Sequence, residues 1–307
     1  MKRIEPDADR YGSLVRASFF ADYLELLALH GSKARLEQLR DLIGELFSRK
    51  REILFNPARD DELPDWEVTD LADEAWTCLL QRKDVLGSDY PFDVGVRSLT
   101  LRPGIDIEES PYVGVLAITL AHAFDSTHTN KVEYLFEELV ADAMENAGLT
   151  VGRVGPISRE QGLNFVDTMA AVGLELGIAI DANATVRRKN ANDEDVDLIG
   201  HFDWRVNRKG RWFFICQATC AKSDEWRKKA QEPAPDDWKL FLGEVTPPTA
   251  FLAVPHHAED LALKYVSSIR RNILDRPQIV KNMSTVSASL KSVIRTVMEA
   301  DYQSLQV

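Results

Sequence analysis

Two strand-like runs, 196–206 and 211–220, flank Asn207-Arg208-Lys209-Gly210, and this arrangement constrains the chain more than any other feature of it. Turn-forming residues between stretches rich in Val, Ile, Phe and Trp are the pattern of a β-hairpin. A hairpin commits this part of the chain to a sheet. On its N-terminal side Val132, Leu135, Phe136, Leu139, Val140 and Met144 recur at helical spacing, so a helix is expected over 129–147, closed by Asn146-Ala147-Gly148. A short strand over 149–154, a helix over 159–176 and a polar, exposed loop over 182–194 follow. Past the hairpin the sequence predicts a charged helix or loop after Lys222, a short segment at 237–242 and a strand over 249–254 stopped by Pro255. Helices are expected from Glu259 onward, interrupted at Asp275-Arg276-Pro277.

The chain has 307 residues, more than the roughly 100–200 of one typical domain. Its first part reads differently from its second. Between Arg10 and Arg51 apolar residues such as Leu14, Phe19, Tyr23, Leu27, Leu39 and Ile43 recur at three- and four-residue steps, and Gly31-Ser32 divides them into a helical pair. Residues 57–74 are acidic and proline-bearing, which predicts a solvated connector. A helix over 71–83 and an extended stretch over 92–101 come next. Residues 112–124 are uniformly apolar, and periodicity alone leaves them a buried strand or a buried helix. The expected organisation is a mostly helical α+β domain over 1–128 and an α/β domain with C-terminal helices over 129–307.

Composition narrows the function. With 45% hydrophobic, 28% charged and 8% aromatic residues the chain is of ordinary globular type, which excludes global disorder. No apolar run approaches the roughly 18 residues of a membrane span. Met1-Lys2-Arg3 is not followed by an apolar segment, and Cys78, Cys216 and Cys220 are too few for a disulfide framework. A cytoplasmic location is the expectation. A net charge of −12 argues against coating nucleic acid with the whole surface, while leaving room for a local basic patch.

Chemistry-bearing residues concentrate between Glu137 and Lys229. Asp197 and Gln217 are oxygen donors on the two strands of the expected hairpin, and hard divalent cations take such ligands. Glu137, on the preceding helix, offers a second acid that could orient a metal-bound water. Asp197 as a turn carboxylate, Gln217 as a core amide and Glu137 as half of a solvated helical pair with Glu138 are the plain alternatives. His201 and Asp203 could extend the site, His256-His257 read as loop residues, and Cys216 and Cys220 as small core residues. No Gly-x-Gly-x-x-Gly, phosphate-binding Gly-rich loop or nucleophile turn is present, so dinucleotide enzymes, ATPases and serine hydrolases have no support.

At these residues the chain resembles the PD-(D/E)xK nuclease superfamily, in its restriction-endonuclease-like branch. Phe136-Glu137-Glu138-Leu139-Val140 followed by Gly148-Leu149-Thr150-Val151 is similar to that branch's opening helix and strand, Asp197 to its central aspartate, and Gln217-Ala218-Thr219 to a glutamine variant of its acid-x-lysine strand. The likeness covers residues 130–255 and extends in outline to proteins of bacterial antiphage systems. It implies a mixed sheet flanked by helices, and Mg2+ or Mn2+ held by Asp197, Gln217 and the Ala218 carbonyl with Glu137 nearby. Cleavage of DNA is the implied activity.

Two departures stand out: Gln217 replaces a carboxylate, and Thr219 replaces the lysine. Lys222 or Lys228 would have to supply the missing cation, with Lys222 preferred over Lys228 and Lys229. Between Arg205 and Lys229 eight basic residues face two acids, and Arg205, Arg208, Lys209, Arg227 and Lys229 form the expected phosphate-binding edge. Trp204 and Trp212 are expected to pack on each other across the hairpin. The resulting expectation is a Mg2+-dependent nuclease. Its alternative is an inactive, nuclease-like subunit that binds nucleic acid or scaffolds partners. The charge split between the halves suggests an ATPase or helicase partner, and a homo-oligomer is open.

Overall fold

A computed structural model describes residues 11–31, 33–49, 65–124, 129–155, 162–184, 195–205, 208 and 210–300. Among them the chain is mixed α/β. The N-terminal part opens with α1 (Arg16–Leu29), then β1 (Ala34–Arg35) and α2 (Leu36–Arg49), the helical pair expected on either side of Gly31. The next helix, α3 (Asp65–Leu86), begins six residues before its expected start at Leu71. The latter part of the acidic stretch is therefore helix rather than connector; its earlier part, 57–64, lies outside the described residues. Charged residues are good helix formers when one face is apolar, and here Leu71, Ala72, Ala75, Trp76 and Leu79 supply that face.

The extended stretch at 92–101 is two strands, not one: β2 (Phe92–Val94) turns back at Gly95 into β3 (Ser98–Leu101), and β1 adds to the other side of β3. The ambiguous run becomes α4 (Pro111–Phe124), in which Tyr112–Ala123 are all buried. Fourteen mostly apolar residues would outrun a strand of ordinary length, and a helix satisfies their backbone internally.

The second part supplies α5 (Thr129–Asn146), β4 (Thr150–Arg153), α6 (Phe165–Leu176), β5 (Leu198–His201), β6 (Phe213–Ala218), α7 (Trp226–Gln231), α8 (Pro235–Phe241) and β7 (Thr249–Ala253). It closes with α9 (Asp260–Ser267), β8 (Asn272–Leu274), α10 (Arg276–Asn282) and α11 (Ala288–Glu299). The five strands form one sheet in the order β4-β5-β6-β7-β8. The β4–β5 and β5–β6 pairs are antiparallel, whereas β6–β7 and β7–β8 are parallel. β8 was not foreseen: three residues ahead of a proline-started helix are too short a run to show a period. Most of the expected loop at 182–194 lies outside the described residues.

β6 is central, and its apolar sequence fits burial on both faces. Phe213 and Ile215 enter a cluster with Phe165, Met169 and Trp238 from α6 and α8. Cys216 belongs to the larger cluster that includes Phe136, Val140 and Met144 of α5. That larger cluster draws members from both parts of the chain, from Tyr11 to Val297. The expected domain boundary near 128 falls among residues outside those described, and apolar contact continues on both sides of it.

Polar groups also bridge the two parts. Arg276, at the start of α10, donates to both carboxylate oxygens of Asp22 on α1 at 2.8 Å each. Arg82 of α3 lies 2.6 Å from Asp22 and 2.9 Å from Glu25, and all four side chains are 0% exposed. Tyr11 donates to Asp22 at 2.7 Å, and Tyr90 and Tyr112 donate to Glu25 at 2.6 and 2.8 Å. Two positive and two negative charges thus cancel inside the core. Burial opposes ionisation of Asp22, but Arg276 and Arg82 outweigh it and hold its carboxyl well below the usual range.

Candidate active site

Asp197 immediately precedes β5 and is gripped by the strands on both sides. Its N–H donates to Cys216 O at 2.9 Å, and its carbonyl accepts from Val154 and Gly155 N–H at 2.8 and 3.1 Å. Its Oδ2 accepts the Ala218 N–H at 2.8 Å, which fixes the carboxylate at the end of β6 beside Gln217. Burial first, then the Asp197 charge, pushes the Cys216 thiol up. A turn carboxylate would be held by its own loop; this one is held across the sheet.

Gln217 is buried near the end of β6, where it donates from Nε2 to Glu232 Oε2 at 3.0 Å. Its Oε1 is buried and has no hydrogen-bond partner among the described residues. An amide oxygen left so costs about 1–3 kcal/mol unless a group from outside the chain satisfies it. Glu232 also accepts from Lys229 Nζ at 2.9 Å, so ammonium and amide share one carboxylate oxygen. Burial would raise the Glu232 carboxyl, but the bonds from Gln217 and Lys229 dominate and lower it. Burial would likewise lower Lys229, yet its bond to Glu232, aided by the charges of Glu232 and Asp195, holds it above its ordinary value.

Glu137 is 6% exposed on α5. Burial, then the charges of Glu133 and Glu137, raise the Cys220 thiol, which places Glu137 beside the segment that continues β6. The alternative of a solvated pair is thus divided, with Glu137 inward and Glu138 outward. Thr219 accepts the Ala221 N–H at 3.1 Å and fills the lysine position with a local turn.

The structure redistributes the cations. Lys222 is half-buried and caps the short turn Ser223–Glu225, and Lys228 is exposed on α7. Lys229, ranked behind Lys222 as the missing cation and otherwise assigned to the phosphate-binding edge, is the lysine linked to Gln217 through Glu232. Side chains on consecutive helical positions point about 100° apart, so only one of the Lys228-Lys229 pair can face β6. Arg227 is committed elsewhere, its guanidinium lying over the Tyr265 ring at 5.1 Å. Arg205 and Arg208 are exposed, and Lys209 is outside the described residues. Glu232 was missed altogether; its one signal in sequence is the Lys-x-x-Glu step that brings it onto the face of Lys229.

His201 does not extend the site. Its Nε2 lies 3.1 Å from Leu176 O, which ties β5 to the end of α6. His256 and His257 are loop residues after β7, as expected, and both are buried, with the His256 ring 4.7 Å from Tyr11 and 5.7 Å from Trp226. Burial pushes both imidazoles down to about 3, so they are neutral core groups at physiological pH.

Among the described residues no three His, Cys, Asp or Glu side chains gather closely enough to hold a metal ion. The donor set suggested by sequence is of another kind, one carboxylate with amide and backbone oxygens, and hard cations accept all three. The unpartnered Gln217 Oε1 beside Asp197 fits that set. No helix among the described residues is long and apolar enough to cross a membrane. Compared with protein-family models, curated proteins and solved structures, the chain matches none.

Proposed function

We propose that this chain is a metal-dependent nuclease that hydrolyses DNA phosphodiester bonds, on a core of restriction-endonuclease-like design. The observation that carries the reading is the buried, unpartnered Gln217 Oε1 next to the cross-strand carboxylate of Asp197. Over α5 to β7 the order is helix, strand, helix, hairpin, two helices, strand, so α6 is an addition between β4 and β5; the pairing, antiparallel from β4 to β6 and then parallel to β7, supports the fold part of the reading.

Asp197, Gln217 Oε1 and the Ala218 carbonyl would hold Mg2+ or Mn2+; Glu137 stands on α5, which packs on the Cys216 side of β6, opposite the face that Gln217 shares with Ile215, so it is left out of the set. Such an ion acidifies bound water and polarises a phosphoryl oxygen. The residues of the chain do the rest. The Ala218 N–H fixes the Asp197 carboxylate, and Glu232 fixes the Gln217 amide so that Oε1 points away from it. Lys229 carries a full positive charge beside this pair and can stabilise negative charge on a phosphate.

Asp197→Asn keeps an acceptor oxygen for Ala218 while removing the charge. Plasmid cleavage in Mg2+ should fall by at least the roughly hundred-fold lost with a single electrostatic catalytic group, with the melting temperature unchanged. Undiminished cleavage would remove the assignment. A second reading, an inactive nucleic-acid-binding subunit, draws on Thr219 and on the commitment of Lys229 to Glu232. Calorimetry separates the two: the nuclease reading requires Mn2+ binding that Asp197→Asn abolishes, and the inactive reading requires none.

A further inference from the structure

The β5–β6 hairpin carries an aromatic face past the edge of the core. Gly200 and Phe214 pair across the two strands, and a Cβ on Gly200 would meet Met144 Cε of α5 at 2.9 Å. Phe202 N–H donates to Trp212 O at 3.2 Å and extends that pairing, so by strand alternation Phe202, Trp212 and Trp204 continue the same face. The helix that covers this face stops at Asn146, and the strand after it starts at Thr150 opposite His201. The cover ends where the aromatic stripe begins.

The three rings are 41%, 53% and 63% exposed for Phe202, Trp204 and Trp212. They stand in a tilted contact of 5.6 Å between Phe202 and Trp204 and an edge-on contact of 5.8 Å between Trp204 and Trp212. The expected pairing of the two tryptophans is therefore present, and it leaves much of both rings in water. Cations flank them in the chain: Arg205 and Arg208 are exposed and Arg211 is half-buried. The nearby carboxylates are already engaged with backbone, Asp203 accepting Arg205 N–H at 2.7 Å and Glu244 accepting Gly210 N–H at 2.6 Å.

We infer that this hairpin tip is a base-stacking contact for unpaired nucleotides of a nucleic-acid strand. A base offers its flat face to an indole only when it is unpaired, terminal or extruded, and the phosphates beside it call for guanidinium groups. Duplex backbone alone would use the arginines and leave the indoles idle. A purely apolar protein partner would use the indoles and leave the arginines desolvated. The inference shares its polymer with the nuclease reading but none of the residues placed at the candidate metal site. Seven residues of extended chain, at about 3.3 Å each, separate Trp204 from Asp197, so the tip lies roughly 20 Å from the candidate metal ligands.

The test uses the full chain in EDTA, so that no cleavage intrudes, with a labelled oligothymidylate of roughly 16 nucleotides and a blunt duplex of the same length. Single-strand binding with quenching of tryptophan fluorescence is expected. Trp204→Ala and Trp212→Ala should each weaken it about five- to a hundred-fold, Trp212→Phe far less, with unchanged melting temperatures. Arg205→Gln with Arg208→Gln should lower the slope of log affinity against log salt by about 1.4, at roughly 0.7 per phosphate contact. Alanine variants that bind as tightly as the parent would overturn the inference, as would preference for the blunt duplex. Sedimentation showing a dimer that the same variants dissolve would give the face to a second copy and also overturn it. Asp197→Asn keeps the two readings apart: it should lose plasmid cleavage in Mg2+ while binding the oligonucleotide in EDTA as the parent does, so undiminished cleavage strikes the nuclease reading alone, and tryptophan variants that bind like the parent strike this inference alone.

Discussion

Arg276→Met offers the sharpest test of how the two parts of the chain are joined. Arg276 is 0% exposed and makes a two-pronged bond to Asp22, with further bonds to Thr119 Oγ1 at 3.1 Å and to Pro255 O at 2.9 Å. Methionine fills much of the same volume but removes one of two buried positive charges. Asp22 and Glu25 then share Arg82 alone, and the core carries an uncompensated negative charge. Breaking a buried pair from one side costs about 3–5 kcal/mol, roughly a fifth or more of a typical total of about 5–15 kcal/mol. The measurement is urea unfolding followed by circular dichroism. Arg276→Lys keeps the charge without the fork, so its loss should be smaller, and adding Asp22→Asn to Arg276→Met restores neutrality and should recover part of the deficit. Because the network is dry, the loss should persist in about 1 M salt, where the Debye length is about 3 Å. A deficit below about 1 kcal/mol, the range of exposed pairs, or one erased by salt would refute the claim that these charges are buried together.

Three other outcomes are expected. His256 and His257 have folded-state values near 3 against an ordinary 6.5, so stability should be full above pH 6.5 and decline as pH falls toward 3, at up to about 1.4 kcal/mol per pH unit for each imidazole. Asp275, raised to about 6 by burial, acts in the opposite sense, favouring the fold below its unfolded value and losing that contribution as pH climbs through 6. A melting temperature that rises steadily from pH 6.5 to pH 4 would contradict the balance of the two histidines over one aspartate. Gly152→Ala would bring a Cβ to 2.7 Å from Val172 Cγ1 and 3.0 Å from Leu176 Cγ, and should cost about 1–3 kcal/mol by overpacking β4 against α6; thermal melts check it, and a neutral substitution would mean that α6 can retreat. Glu232→Gln should let burial lower the Lys229 pKa, observable by NMR of the methylated lysine, and an unchanged titration would disconnect Lys229 from the site.

Much of the second part was legible because its elements obey simple periods. The stripe from Val132 to Met144, the apolar run of β6 and the turn before it each announce one structure. Elements were misjudged where period and length give no purchase. The strand β8 is three residues long, β2 and β3 are separated by a turn at Gly95 that looks like continued strand, and α3 begins in acidic residues that resemble a loop. The site was legible in the same uneven way. Asp197 and Gln217 were readable because a hairpin brings neighbouring strands together by construction, whereas Glu232 and the role of Lys229 depend on the angle at which α7 returns over β6.

Sequence alone determined the strongly periodic helices and the apolar strand β6, and that an antiparallel pair would carry the oxygen donors, because each follows from local spacing. Only the tertiary structure decided which lysine reaches Gln217, which aromatic rings stay in water and how Asp22 meets Arg276 across the chain. Those outcomes depend on the packing of elements far apart in sequence. Buried charges show the difference most plainly: an aspartate and an arginine separated by 254 positions look like ordinary surface residues until the core closes around both.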